Sequence, residues 1–352
     1  MRGAIDCDVH NAVPDISALF AYLPQRWSDY CVEHAVDSLA TSFYPPGLEL
    51  SATPPARSTE GEPGSDPAVL VAHVLDAGAD IAILNCLYGV QSIHNEDWAS
   101  AMVAALNDWQ ATTWLPDPRL RASIVVGLQN PERAAEEVRR CAANPGFVQV
   151  LLLAFTEIPL GRRHYWPIYR AADEAGLPVA IHPGVASANP WGPTGWASYF
   201  IEDYAAAMGA MQSQLTSIVC EGVFQKFPGL RLVLAESGVA WLPSLMWRLD
   251  KNWKGLRREI PWLDAPPSEV IRDHVKLTVA PFDGPPDAEG VRRLVEQIGS
   301  ERPLLYASDY PHWHRRDPGE SLLCHLSEAE RANVVRNNAL ELYRLDVPAS
   351  AR

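Results

Sequence analysis

No run of about 20 apolar residues occurs in this chain, and Met1-Arg2 leads straight into Ala4-Ile5-Asp6 without the apolar core of a signal peptide, so neither a membrane span nor a secretory leader is expected. Cysteine is sparse and scattered. The six cysteines, at 7, 31, 86, 141, 220 and 324, form no Cys-x-x-Cys pair, which argues against a disulfide framework and for a reducing cytoplasm; none stands out as a nucleophile. Positive charge is also in short supply: 29 Lys and Arg against 43 Asp and Glu leave a net charge of −14, which speaks against nucleic acid or an anionic membrane surface as the main partner. Short internal repeats and low-complexity tracts are absent. The expectation is a soluble cytoplasmic protein whose partner is a small molecule.

With 352 residues, 47% of them hydrophobic, the chain can bury a large core, and one α/β barrel with insertions fits the length as well as two small domains. The most telling stretch is Ala4-Ile5-Asp6-Cys7-Asp8-Val9-His10, which has the character of a buried strand. Side chains alternate faces along a strand, so Asp8 and His10 point the same way and converge. Burying a carboxylate and an imidazole together is costly unless something positive, most simply a divalent cation, sits between them.

Beyond it, residues 11–67 are rich in Pro and Gly and read as an irregular lid, with Phe43 and Tyr44 among its aromatics, inserted between the first strand and its helix. Helical spacing follows over 66–79, then a regular alternation. Strands are expected near 82, 124, 150, 180, 233, 278 and 306, with helices over 96–115, 130–143, 165–175, 202–227, 287–298 and from Ser327, and another reaching Trp253. Together with the first strand that makes eight, each followed by helix, which favours a single (β/α)8 TIM barrel domain over 1–352 with a long β1–α1 insertion. Asp8, His10, His182, Glu236 and Asp309 all fall at carboxyl ends of these strands. In a barrel those ends share one mouth, where residues about 300 apart in sequence can meet.

On these stretches, Ile5-Asp6-Cys7-Asp8-Val9-His10, Ile181-His182-Pro183, Ala235-Glu236-Ser237-Gly238 with Trp247-Arg248-Leu249-Asp250, and Ser308-Asp309-Tyr310-Pro311-His312, the chain resembles the amidohydrolase-related family, the aminocarboxymuconate-semialdehyde decarboxylase-like branch of the amidohydrolase superfamily. The resemblance covers nearly the whole chain. It implies one divalent metal held by Asp8 (where relatives carry His or Glu), His10, His182 and Asp309. Strand 4 ends in Val150-Leu151-Leu152-Leu153 without the lysine that bridges two metals in binuclear members, so the resemblance is to the mononuclear kind. An oxygen- and nitrogen-rich shell without thiolate suits Zn²⁺, ranked first, and also Mn²⁺ or Fe²⁺. The resemblance further makes Arg248 a substrate-binding candidate that reaches a neighbouring subunit's site, in a homodimer or larger homo-oligomer.

One departure shapes the functional expectation. Relatives of the decarboxylase type carry a histidine at the end of strand 6, whereas this chain has Glu236. Three carboxylates around one divalent cation leave a surplus negative charge that disfavours a carboxylate substrate, unless Glu236 is protonated or paired with Arg248. The expectation is therefore a hydrolase of an aromatic or unsaturated ester, lactone or amide, with Asp309 taking a proton from a metal-activated water and Glu236 or His312 serving the leaving group. Non-oxidative decarboxylation of a hydroxylated aromatic acid on the same residues is the alternative, and a non-catalytic binding barrel is a third reading.

Bland roles compete with several of these assignments. His182 alone could be a hydrogen-bonded structural residue; Glu236 could be a first-turn carboxylate beside a capping Ser237; Arg248 could be a structural cation among Trp247, Leu249 and Trp253. His312 and His314 could belong to a polar loop, although His312, just after a strand end, suits proton donation. Trp191, in the aromatic loop 184–200, most simply packs; if it lines the pocket it points to an apolar or aromatic substrate.

Overall fold

The computed structural model of the protein describes residues 2–39, 62–184, 189–190, 192, 195–313 and 322–346. Eight strands follow one another in chain order around one sheet: β1 (Ala4–Val9), β2 (Ala79–Leu84), β3 (Leu120–Val125), β4 (Phe147–Leu153), β5 (Val179–His182), β6 (Leu232–Leu234), β7 (Val275–Thr278) and β8 (Leu304–Leu305). Neighbours pair in parallel, with registers such as Ile5 opposite Ile81 and Leu153 opposite His182. The sheet closes through the residues after β8. Cys7 N–H donates to Tyr306 O at 2.9 Å, Asp309 N–H to Asp8 O at 3.0 Å and His10 N–H to Tyr310 O at 2.7 Å. With helices between the strands, this is the (β/α)8 barrel that the alternation predicts.

Local chemistry accounts for these elements. Strands of a parallel barrel are covered on both faces and so read as near-continuous apolar runs. Phe147–Leu153 is buried at all seven positions and Ala4–Val9 at all six. Burying a Leu or Ile contributes about 1.5–3 kcal/mol, so the interior positions given up to Asp6, Asp8, Ser123, Gln149, His182 and Asp309 need another explanation. Helix boundaries fall at residues suited to them. Asn130 accepts a hydrogen bond from Arg133 N–H at 3.1 Å ahead of the helix Pro131–Cys141. Gly176, at φ 67°, ends Trp166–Ala175, and Ser327 with Glu330 forms a reciprocal capping box on Glu328–Ala332.

The structure changes some expectations. Within the stretch read as irregular, Ile16–Tyr22 forms a 3₁₀ helix and Gln25–Glu33 an α-helix; Pro24 lies just before the latter, a place where proline starts a helix rather than breaking one. Residues 40–61, with Phe43 and Tyr44, lie outside the described residues. The helix expected over 66–79 is a short α-helical piece, Pro67–Leu70, running into a π turn, Val71–Leu75. The helix expected over 202–227 divides at Gly222 (φ 75°) into Phe200–Cys220 and Val223–Lys226. β6 and β8 end sooner than expected, and beyond them the chain turns through Glu236 and Asp309 at φ 49° and 58°. No described helix is long and apolar enough to cross a membrane.

Candidate metal centre

Four of the strand-end residues meet at the carboxyl mouth of the barrel. One donor atom from each of Asp8, His10, His182 and Asp309 lies within 4.8 Å of the others, and all four residues are buried. A second, overlapping group joins His10 and Asp309 to Glu236 and His312.

Each side chain is aimed by its surroundings. Asp8 Oδ1 accepts from Asn85 Nδ2 at 2.8 Å. His10 Nδ1 lies 2.9 Å from the Asn85 carbonyl, which can only accept, so Nδ1 carries the proton and Nε2 faces the cluster. There Nε2 is 2.9 Å from Asp309 Oδ1 and 3.6 Å from Asp8 Oδ1. The His182 ring packs edge-on to His10, with centroids 4.9 Å apart, and its Nε2 lies 3.5 Å from Asp8 Oδ2 and 3.3 Å from Glu236 Oε2. Glu236 Oε1 accepts from the Tyr204 hydroxyl at 2.9 Å, and Glu236 N–H donates to Thr278 Oγ1 at 2.9 Å. His312 Nδ1 is 3.0 Å from Asp309 Oδ1, with its ring about a third exposed.

The buried ionisable groups of the cluster shift one another strongly. Burial lowers the His10 pKa, but Asp8 and Asp309 overcome it and push the imidazole up to about 10. Burial pushes Asp8 upward, yet His182 and His10 hold it below the usual carboxylate range. Burial, then the nearby Asp309 charge, pushes Glu236 up to about 8 against His312 and His10. Orphaned atoms bear on whether an ion fits. Both ring nitrogens of His182 and Asp8 Oδ2 are buried without a hydrogen-bond partner among the described residues, a costly state that a metal ion ends. Donors about 2.0–2.2 Å from a cation stand at most about 4.4 Å apart, so this set fits one ion after tightening by a few tenths of an ångström.

Glu236 and Asp309 reach the cluster from left-handed backbone, which costs a residue other than glycine of order 1–3 kcal/mol and is characteristic of functional sites. Ser237 does not cap a helix as its sequence position suggested; its hydroxyl bonds to the Leu234 and Gly238 carbonyls, and the next helix begins at Leu242. Arg248 is exposed on that helix and pairs with no carboxylate among the described residues, so it does not neutralise Glu236. Trp191 and His314 lie outside the described residues.

Three residues at the site escaped the sequence reading. Asn85, one residue beyond β2, carries the signal that found the others: a polar group ending an apolar strand. Asp6 is buried, accepts from Ser308 N–H at 2.9 Å, and is raised to about 7 by burial against that hydrogen bond. Tyr204 had no legible signal, since only the fold brings its helix to Glu236.

A barrel whose carboxyl mouth gathers two imidazoles and two carboxylates around one point has the form of a mononuclear metal-dependent enzyme. The chain belongs to the amidohydrolase family, whose sequence profile matches residues 5–345, and it is an enzyme of that superfamily. It is 28% identical over 284 residues to γ-resorcylate decarboxylase of Rhodococcus jostii (strain RHA1), covering 73% of this chain and 80% of that one. To 2-amino-3-carboxymuconate-6-semialdehyde decarboxylase of Dictyostelium discoideum it is 25% identical over 233 residues, or 62% of this chain and 59% of the other. Among solved structures it is similar to a dihydroxybenzoic acid decarboxylase from Polaromonas sp. JS666 with bound manganese and 2-nitroresorcinol, with a TM-score of 0.70, 21% identity and coverage of 100% and 99%.

These relatives overturn the expectation of hydrolysis. That expectation counted Glu236 as a full negative charge, whereas burial, then the nearby Asp309 charge, pushes its pKa up to about 8.

Proposed function

We propose that the protein is a divalent-metal-dependent decarboxylase of a hydroxylated aromatic acid. The observation that carries this reading is the buried meeting of Asp8, His10, His182 and Asp309, with both His182 ring nitrogens buried and not hydrogen-bonded, in a chain whose relatives are decarboxylases. Asp8, His10, His182 and Asp309 would hold one ion. We favour Mn²⁺ over the Zn²⁺ expected from sequence, supported by the manganese of the Polaromonas structure; the nitrogen and oxygen shell suits either ion. When bound, the ion supplies Lewis-acid stabilisation of charge on substrate oxygens.

The chain's own groups then handle the proton. Asp309 delivers it to the ring carbon that bears the carboxylate, forming a C–H bond, while a ring hydroxyl lends the electron density that makes this carbon basic. The C–C bond breaks, its electron pair restores the aromatic ring, and CO₂ leaves uncharged. No oxidant or reductant takes part. His312, hydrogen-bonded to Asp309 and open to solvent, returns a proton to Asp309 for the next turnover.

A cavity of about 250 Å³ opens beside His10 and His312, bounded by Val13, Leu87, Tyr88 and Pro311. Its size is below the roughly 300–1,000 Å³ usual for drug-sized ligands, which suits a single ring. Glu236 with Tyr204 is proposed to orient the substrate. Arg248, exposed beside Trp247, is proposed to serve a second copy of the chain in a homodimer. Carboxyl-labelled hydroxybenzoates incubated with Mn²⁺-loaded protein test the reading. Labelled CO₂ is expected, and its absence across a panel of hydroxylated aromatic acids would sink the proposal.

A further inference from the structure

Asn85 touches both donors that β1 contributes to the cluster. Its side-chain amide donates to Asp8 Oδ1 at 2.8 Å, and its carbonyl lies 2.9 Å from His10 Nδ1. Its own N–H donates to Val9 O at 2.8 Å, pinning the end of β2 to the end of β1. One residue thus fixes which Asp8 oxygen is occupied and which His10 nitrogen faces the cluster.

The orientation of the Asn85 amide is itself determined. Its Oδ1 accepts from Ser123 Oγ at 2.5 Å and from Gln149 Nε2 at 3.0 Å, so Nδ2 has to be the group facing Asp8. Gln149 Nε2 also donates to Ser123 Oγ at 2.9 Å. Gln149 is set in turn by the Tyr343 hydroxyl, which donates to its Oε1 at 2.9 Å. Asn85, Ser123 and Gln149 are fully buried and Tyr343 is 7% exposed. The donors all point one way, from the C-terminal helix Asn338–Tyr343 through β4 to Asp8.

We propose that Asn85 is the positioning residue of the metal centre and that the buried relay from Tyr343 through Gln149 keeps it in its working orientation. With Oδ1 held by Asn85, Asp8 offers Oδ2, the oxygen left without a hydrogen-bond partner, to the ion; with Nδ1 protonated against the Asn85 carbonyl, His10 offers Nε2. Outer groups of this kind typically set metal affinity by about 10- to 100-fold when removed. A donor chain in a low-dielectric interior polarises along its length, which passes the effect of Tyr343 to Asp8. The proposal rests on the metal-centre reading and is independent of which acid is decarboxylated.

The test is Mn²⁺ affinity of the purified chain, measured by calorimetry and by the Mn²⁺ electron paramagnetic resonance signal, with folding followed by circular dichroism. Wild type should bind one ion; failure to do so overturns the metal centre itself. Asn85→Leu, nearly isosteric but without the donor, should fold and bind Mn²⁺ about 10- to 100-fold more weakly with an altered resonance spectrum. Tyr343→Phe, which removes one distant hydroxyl, should show a smaller but measurable loss, below about 10-fold. Asn130→Ala, a helix-cap change away from the cluster, should lower stability and leave Mn²⁺ affinity unchanged, separating positioning from general loosening. Wild-type affinity and spectrum in folded Asn85→Leu overturn the proposal. If Asn85→Leu does not fold, Tyr343→Phe decides, and wild-type affinity there overturns it.

Discussion

His10 Nε2 stands 2.9 Å from Asp309 Oδ1, although 299 residues separate the two in sequence. Their contact joins the first strand of the barrel to the turn after the last, and it lies inside the cluster proposed to hold the ion. Without a metal, burial is outweighed by Asp8 and Asp309, which favour a proton on His10; in the proposed metal centre the same two atoms would serve as ligands.

Purified protein is expected to carry about one divalent metal per chain, read by elemental analysis. His182→Ala should lose metal and activity together, because it removes one of the four proposed donors. Two ions per chain, or a fully metallated His182→Ala, would contradict the four-residue shell.

Asp309→Asn keeps the size and one ligating oxygen of the side chain but removes its proton-carrying role. The rate should drop by roughly 10²- to 10⁴-fold with metal at least partly retained. Near-wild-type turnover by the metallated variant would move the proton transfer to His312 or Glu236.

Glu236→Gln should keep its metal, since the four other donors are complete without it and Tyr204 can still donate to the Gln oxygen. An empty site in this variant, by elemental analysis, would make Glu236 a ligand and redraw the shell.

Asn130→Ala should cost about 1 kcal/mol of stability, the usual loss when a helix cap is removed, because Arg133 N–H would lose its partner at the head of Pro131–Cys141. The shift of a urea unfolding midpoint at constant slope measures it.

The fold was legible because a parallel barrel writes its strands as apolar runs and its helix ends as caps. Phe147–Leu153 and the Ser327/Glu330 box stand where the pattern places them. The donors were legible for a related reason: Asp8, His182 and Asp309 interrupt apolar strands where an unpaired polar group would be costly. Asn85 obeys the same rule, yet an amide is rarely sought as a ligand and so drew no attention. Tyr204 and Gln149 were illegible, because a helical tyrosine and a strand glutamine acquire partners only after the chain has closed. The charge argument from Glu236 misled for a physical reason: formal charges were counted before burial and neighbouring charges had shifted them.

The hydrogen bond from Asp309 N–H to Asp8 O, which seals the barrel, also ties the first part of the site to be synthesised to the last. A ribosome releases Asp8 and His10 first, His182 midway and Asp309 only after the eighth strand has emerged. If these four residues hold the ion as proposed, the complete shell would assemble only once the eighth strand is made, and a chain stopped before residue 309 would lack its fourth donor.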